Sequence, residues 1–170
     1  MNLYPHIRDI ADFPKEGILF RDITPLLQDA EALQASIDLM AKEVEGIDFD
    51  LVIGPESRGF IFGVPLAYKL KKGFVPVRKP GKLPHDIVSQ SYDLEYGSNT
   101  IEMHVDAIKP GQKIVIADDL LATGGTTKAM IDLIEKLGGE VVKIIYLIEL
   151  EGLNGRAVLE GKEIASLLKY

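Results

Sequence analysis

The chain has 170 residues, 46% of them hydrophobic, enough to bury one good core and most simply read as a single domain over residues 1–170. It contains no cysteine, which excludes disulfides and zinc-thiolate sites, and its formal charge of −7 argues against a nucleic-acid surface, since that needs a basic excess to release counterions. No apolar run approaches a membrane span, and Met1-Asn2-Leu3-Tyr4-Pro5-His6 lacks the basic-then-apolar order of a leader, so the expectation is a soluble cytoplasmic protein with no membrane partner.

In chain order, Asn2 to about Asp9 reads as a short helix and Phe13-Pro14-Lys15-Glu16-Gly17 as a loop. Ile18 to Pro25 reads as extended, with Leu19 and Phe20 packing inward. Asp29 stands where an N-cap belongs for a helix to about Val44, whose Leu33, Ile37, Met40 and Val44 share one face. Leu51-Val52-Ile53-Gly54 is a short buried strand, Pro55-Glu56-Ser57-Arg58-Gly59 a loop, and a helix follows to about Leu70. Phe74-Val75-Pro76-Val77 is a further strand. From Arg78 to about Thr100 the chain is polar, rich in turn residues and too long for a routine connection, which marks a functional loop placed to close as a lid. Tyr92-Asp93-Leu94-Glu95 and Ile101-Glu102-Met103-His104-Val105 alternate, which predicts a hairpin at its base.

Charge is unevenly spread. Between Ser57 and His85 there is no acidic residue, while Arg58, Lys69, Lys71, Lys72, Arg78, Lys79 and Lys82 all fall there. A cationic region in an acidic chain points to a small polyanionic substrate.

Lys113 to Ala117 is a β-branched and aliphatic run that suits a strand buried on both faces of a parallel sheet. Asp118 and Asp119 then stand where the strand should end. Leu120-Leu121-Ala122-Thr123-Gly124-Gly125-Thr126-Thr127 leads into Met130, Ile131, Ile134 and Leu137, which have the spacing of one helical face. Gly124 and Gly125 let the backbone approach a ligand, and the helix start offers unpaired N–H groups at the positive end of a dipole. That is a phosphate seat, ringed by the hydroxyls of Thr123, Thr126 and Thr127. The two carboxylates must face donors or a cation, and neighbouring ribose hydroxyls fit them. A ribose 5-phosphate is the simplest ligand. Considered singly, Gly-Gly is a turn and the Asp pair a solvated strand end; together, adjacent repelling carboxylates have no packing purpose. The Walker pattern does not apply: Gly155 to Lys162 has one residue too many, and Gly54 to Gly59 is followed by Phe60 instead of lysine. After that helix, Val141 to Leu150 reads as a long buried strand, Asn154 to Glu160 as a short helix and Ile164 to Leu168 as a last strand.

Val115 to Thr126 resembles the phosphoribosyl pyrophosphate motif of the type I phosphoribosyltransferases, and its Leu-Leu-Ala-Thr-Gly-Gly-Thr version resembles the adenine phosphoribosyltransferase branch. The likeness extends to Phe20-Arg21-Asp22-Ile23-Thr24-Pro25, Ser57-Arg58-Gly59-Phe60, Arg78-Lys79-Pro80-Gly81-Lys82-Leu83-Pro84 and Ser91-Tyr92-Asp93-Leu94-Glu95-Tyr96-Gly97. It implies an α/β fold with a central, mostly parallel sheet flanked by helices, a small hood at about 13–25 and a flexible catalytic loop at about 78–100.

The activity implied is purine salvage: transfer of the phosphoribosyl group of 5-phosphoribosyl 1-pyrophosphate to adenine, giving AMP and pyrophosphate. By the same resemblance Phe20 stacks on the base, the main chain around Leu19 and Arg21 reads the purine edge, and Leu150 belongs to the substrate-binding set. Glu56, Ser57 and Arg58 form the pyrophosphate loop, with a cis peptide expected between Glu56 and Ser57, and Arg78, Lys79 and Lys82 hold the same leaving group. Asp118 and Asp119 take the ribose hydroxyls, and Ala122, Thr123, Gly124, Gly125, Thr126 and Thr127 the 5-phosphate. Glu95 is the implied general base, shielded by Tyr96, although composition alone favours a solvated hairpin face for both. Magnesium is the implied cofactor, held mainly by substrate and water with no protein ligand, and a homodimer is expected near the helix after Arg58. Two rivals stand beside this reading: a transferase for another purine base, and a phosphoribosyl pyrophosphate sensor without catalysis.

Overall fold

The computed structural model describes residues 1–94 and 96–170. The expected N-terminal helix is replaced by a 3-10 turn, Tyr4–His6, after which Arg8–Ile10 (β1) pairs antiparallel with Phe20–Asp22 (β2). Tertiary pairing overrides the local tendency here, because Arg8 Nη2 reaches Asp22 Oδ2 across the ribbon at 2.6 Å. Asp22 also accepts from Thr24 N at 2.9 Å and Thr24 Oγ1 at 2.6 Å. These bonds turn the chain, so the extended segment ends at Ile23 and Thr24–Gln28 (α1) is helical. Asp29 Oδ1 accepts from Ala32 N at 2.9 Å and caps Ala30–Lys42 (α2), whose Ile37 and Met40 are buried as their spacing predicts.

Next come Leu51–Pro55 (β3), Arg58–Leu70 (α3) and Gly73–Val77 (β4). Ile87–Asp93 (β5) and Ser98–His104 (β6) form an antiparallel hairpin that starts earlier than the sequence suggests, so much of the expected loop is ribbon. Lys113–Leu121 (β7), Gly125–Lys136 (α4), Glu140–Glu149 (β8) and Ile164–Lys169 (β9) complete the chain, with a 3-10 segment at Gly155–Leu159 where a short helix is predicted.

Five strands pair in parallel in the order β4-β3-β7-β8-β9. From β3 the chain steps outward to β4 and then returns to the other side of β3 as β7. The order therefore reverses between β3 and β7, which is where an open α/β sheet leaves a crevice at its carboxyl ends. Pairing of β3 with β7 runs from Leu51↔Ile114 to Ile53↔Ile116, below Pro55 and Asp118. Strand β7 does not stop at the carboxylates. It continues to Leu121 because β8 keeps pairing with it, Asp118 opposite Tyr146 and Leu121 opposite Glu149.

Alternate residues of the central strands serve two apolar layers. Val52, Val115, Ala117 and Leu147 pack with Phe62 and Leu66 of α3, whereas Ile53, Ile114 and Ile116 pack with Met130 and Ile134 of α4 and with Met103 of the hairpin. Each buried Val, Leu, Ile, Phe or Met among them contributes about 1.5–3 kcal/mol by leaving water. Behind the end of β8, Glu149 is pinned by Arg156 Nε and Nη2, both at 2.7 Å, and by Ser166 Oγ at 2.6 Å. The hairpin joins the main sheet where Arg78 N donates to Glu102 O at 3.0 Å and Glu102 N to Arg78 O at 2.7 Å.

Candidate active site

Two strand ends meet at the crevice. The segment after β3 carries Glu56, Ser57 and Arg58, and its Glu56-Ser57 peptide is cis as the motif implies. Arg58 Nε lies 2.8 Å from Asp119 Oδ2, so the cationic loop and the anionic strand touch. Gly59 makes this approach possible: a Cβ there would fall 2.6 Å from Pro55 Cδ and 2.9 Å from Asp118 Oδ1. Glu56, Ser57, Arg58, Asp118, Asp119 and Thr126 line a cavity of about 450 Å³ between the two ends.

Both carboxylates are buried. Asp118 Oδ1 accepts from Asp119 N at 2.8 Å. Burial, and next the adjoining Asp119 charge, push the Asp118 carboxyl well above its ordinary range.

The turn after β7 forms the smaller hollow that a phosphate group would need. Leu121, Ala122, Thr123, Gly124, Gly125, Thr126 and Thr127 line it, together with Asp118. Gly124 has φ +87°, and a Cβ there would meet Gly155 O at 2.7 Å, so both conformation and space demand glycine. Helix α4 starts at Gly125 and points its free N–H groups into the turn. One expectation is corrected: the Thr127 hydroxyl is not a free donor at the hollow but is buried and bonded to the Tyr146 hydroxyl at 2.5 Å. Burial pushes the Tyr146 phenol up.

The segment around β2 borders an apolar slot of about 160 Å³ whose walls include Leu19, Phe20, Arg21, Leu120, Ile148 and Leu150. Phe13 meets the Phe20 ring edge-on at 5.1 Å between centroids, and the Arg58 guanidinium stands 5.7 Å from that ring. The Arg21 side chain is engaged elsewhere, with Asp9 at 2.5 Å and over the Tyr170 ring at 4.0 Å, so only its main chain is free to read a base edge.

Arg78 and Lys79 wall a further cavity of about 230 Å³, shared with Glu56, Tyr92, Asn99 and Thr126. Glu56 Oε1 accepts from Lys79 N at 2.7 Å and Arg78 Nε at 3.3 Å. The Lys79 N–H and, after it, the Arg78 charge hold the Glu56 carboxyl below its usual range, so this side chain anchors the β4 end. Lys82 is exposed and lines none of these cavities, and neither does Tyr96, which is 83% exposed. Glu95 lies outside the described residues. Tyr92 is read from the sequence only as part of a hairpin and a motif, and Tyr146 only as part of a buried strand, with no site role for either. For Tyr92 the signal was available in the alternation of β5, where Val88, Gln90 and Tyr92 turn inward.

The chain matches the phosphoribosyl transferase domain model over residues 23–162. An adenine phosphoribosyltransferase of Lachnoclostridium phytofermentans is 62% identical over 168 residues, covering 99% of this chain and 97% of that protein. The crystal structure of adenine phosphoribosyltransferase from Thermoanaerobacter pseudethanolicus superposes with a TM-score of 0.97 at 56% identity, covering 99% of this chain and 98% of that one. The enzyme of Saccharomyces cerevisiae, solved with D-2,5-dideoxy-2,5-imino-altritol 1,6-bisphosphate and adenine, superposes at 0.92 with 38% identity, over 98% and 96% of the two chains. With its motifs gathered on one sheet rim and these relatives matched nearly end to end, the chain belongs to the adenine phosphoribosyltransferases of the phosphoribosyl transferase family.

Proposed function

We propose that the protein transfers the phosphoribosyl group of 5-phosphoribosyl 1-pyrophosphate to adenine, releasing AMP and pyrophosphate in purine salvage. The observation that carries this reading is the Arg58–Asp119 contact, because it sets a cationic loop and a carboxylate pair side by side between a phosphate turn and an apolar slot. A sugar with phosphates at both ends spans that arrangement, and a flat purine suits the slot beside Phe20.

The bond between the anomeric carbon and the pyrophosphate oxygen breaks as the bond to the adenine ring nitrogen forms. The adenine N–H proton leaves to a base, for which we put forward Glu95. Positive charge grows on the sugar; in this reading Asp118 and Asp119 take the ribose hydroxyls and face that charge. Arg58, with Arg78 and Lys79 from the neighbouring cavity, neutralises the departing pyrophosphate. The turn from Ala122 to Thr127 holds the 5-phosphate through backbone N–H groups and the Thr123 and Thr126 hydroxyls.

Magnesium fits this donor set as a substrate-borne ion. Asp118 and Asp119 offer hard carboxylate oxygens beside the crevice, and a hard cation that keeps several waters needs few protein ligands beyond the substrate's own oxygens. When bound, it adds positive charge to the diphosphate.

A homodimer through α3 goes with this reading, supported by Ile61, Val64 and Tyr68 exposed at helical spacing along one face of that helix. No helix among the described residues is long and apolar enough to cross a membrane. A cytoplasmic setting suits a cysteine-free chain.

The test is an assay with adenine, phosphoribosyl pyrophosphate and magnesium, each omitted in turn, followed by hypoxanthine, guanine and xanthine in place of adenine. AMP formed only from the complete mixture is expected. Equal turnover of an oxo-purine would shift the reading to a different base, and binding without turnover would shift it to a sensor.

A further inference from the structure

Two tyrosines from different elements each bond one of two consecutive threonines in the phosphate turn. Tyr146 of β8 meets Thr127 inside the core, and Tyr92 of β5 meets Thr126 at its edge, 2.8 Å between the hydroxyl oxygens. The second pair has chemical room to act. Thr126 borders the crevice cavity, the phosphate hollow and the cavity walled by Arg78 and Lys79. The Tyr92 ring also packs over the turn, since a Cβ on Gly125 would fall 3.2 Å from Tyr92 Cδ2.

Phosphate oxygens carrying charge only accept hydrogen bonds. For Thr126 to bind one, its hydroxyl proton must point at the phosphate, and its oxygen then needs a donor from elsewhere. The Tyr92 hydroxyl is in position to be that donor. A directed chain results, from Tyr92 O–H to Thr126 O–H to phosphate, in which each bond polarises the next.

We propose that Tyr92 is a positioning residue for the 5-phosphate, fixing the direction of the Thr126 hydroxyl and thereby tying the hairpin to that end of the substrate. The proposal rests on the phosphoribosyl reading of the site. It differs from a packing role for Tyr92, because packing belongs to the ring and direction to the hydroxyl alone.

Tyr92→Phe separates the two. Calorimetric titration of the intact protein with ribose 5-phosphate is expected to show affinity about 5–10-fold weaker in the variant, as loss of one neutral hydroxyl–hydroxyl bond implies. Pyrophosphate titrated with magnesium should bind the variant and the original equally, the KM for adenine should be unchanged, and the KM for phosphoribosyl pyrophosphate should rise with the ribose 5-phosphate constant. In a Thr126→Val background, Tyr92→Phe should have no further effect. Ribose 5-phosphate affinity within two-fold of the original would overturn the proposal, and so would an equal loss for pyrophosphate. Failure of the unmodified protein to bind ribose 5-phosphate would instead overturn the site reading beneath it.

Discussion

Arg58 Nε lies 2.8 Å from Asp119 Oδ2, joining the first residue of α3 to the β7 carboxylate across the crevice. The Arg58 side chain is 45% exposed, so water screens the pair and its net worth is at most about 1 kcal/mol. Arg58→Gln is therefore expected to lower Tm by no more than about 2–4 °C. Its functional cost is larger, since a charged donor to pyrophosphate is lost: the KM for phosphoribosyl pyrophosphate should rise about 10-fold or more. Thermal unfolding and initial rates on the same preparation check both halves, and a large Tm loss with an unaltered KM would make Arg58 a structural residue.

Asp118 carries the opposite trade. Its folded pKa is raised above the ordinary 3.8, by burial first and by Asp119 second. A raised carboxyl contributes stability in acid, below its unfolded pKa, and that contribution disappears as pH climbs through the raised folded value. At pH 7 keeping this carboxyl buried costs the fold more than it does in acid, so Asp118→Asn should raise Tm there while sharply lowering turnover. The gain should vanish near pH 3, where the original residue is already neutral. Calorimetric scans at the two pH values decide it.

Glu149 titrates in the other direction. Arg156 foremost, then Ser166, hold its carboxyl down at about 2 against the ordinary 4.5. The stability this supplies is complete above pH 4.5 and is lost as pH falls from 4.5 towards 2. Glu149→Gln should lower stability at pH 7 and flatten the acid limb of the stability curve. Part of the limb should remain, because Asp22 is likewise held at about 2, chiefly by Thr24. Arg156→Leu, which leaves a buried carboxylate without its cation, should cost about 2–3 kcal/mol in urea unfolding at pH 7.

Glu95→Gln tests the proposed base. A group needed only as the proton moves affects turnover rather than affinity, so kcat should fall by about 10²-fold or more while both KM values stay nearly fixed. Unchanged kcat would remove Glu95 from the chemistry.

Much of this arrangement was legible before any coordinates. Two strand-loop-helix units, the Asp29 cap and the apolar faces of α2 and α4 follow from short-range spacing, and so does the meeting of both loops on one rim. What stayed hidden depends on partners distant in sequence. The carboxylates sit within β7 instead of beyond it, because ten-residue β8 extends the pairing. Arg8–Ile10 is a strand because Phe20–Asp22 lies beside it. A threonine beside two glycines looks like a phosphate donor, and nothing local reveals that Tyr146 takes the Thr127 hydroxyl into the core. Lys82 shares its basic run with Arg78 and Lys79, yet Gly81 at φ +81° turns the chain between them and Lys82 ends in solvent.

The hairpin is fastened to the main sheet at the Arg78–Glu102 seam, beside the fully buried Met103. Its seven-residue strands make a lever about 20 Å long at roughly 3.3 Å per residue, so a tilt of about 10° at the seam sweeps the far end through some 4 Å. Small repacking beneath Met103 is thereby magnified along the ribbon. A substitution beneath Met103 that never meets the crevice should therefore displace Tyr92 and its bond to Thr126, so ribose 5-phosphate affinity is the quantity that would register it.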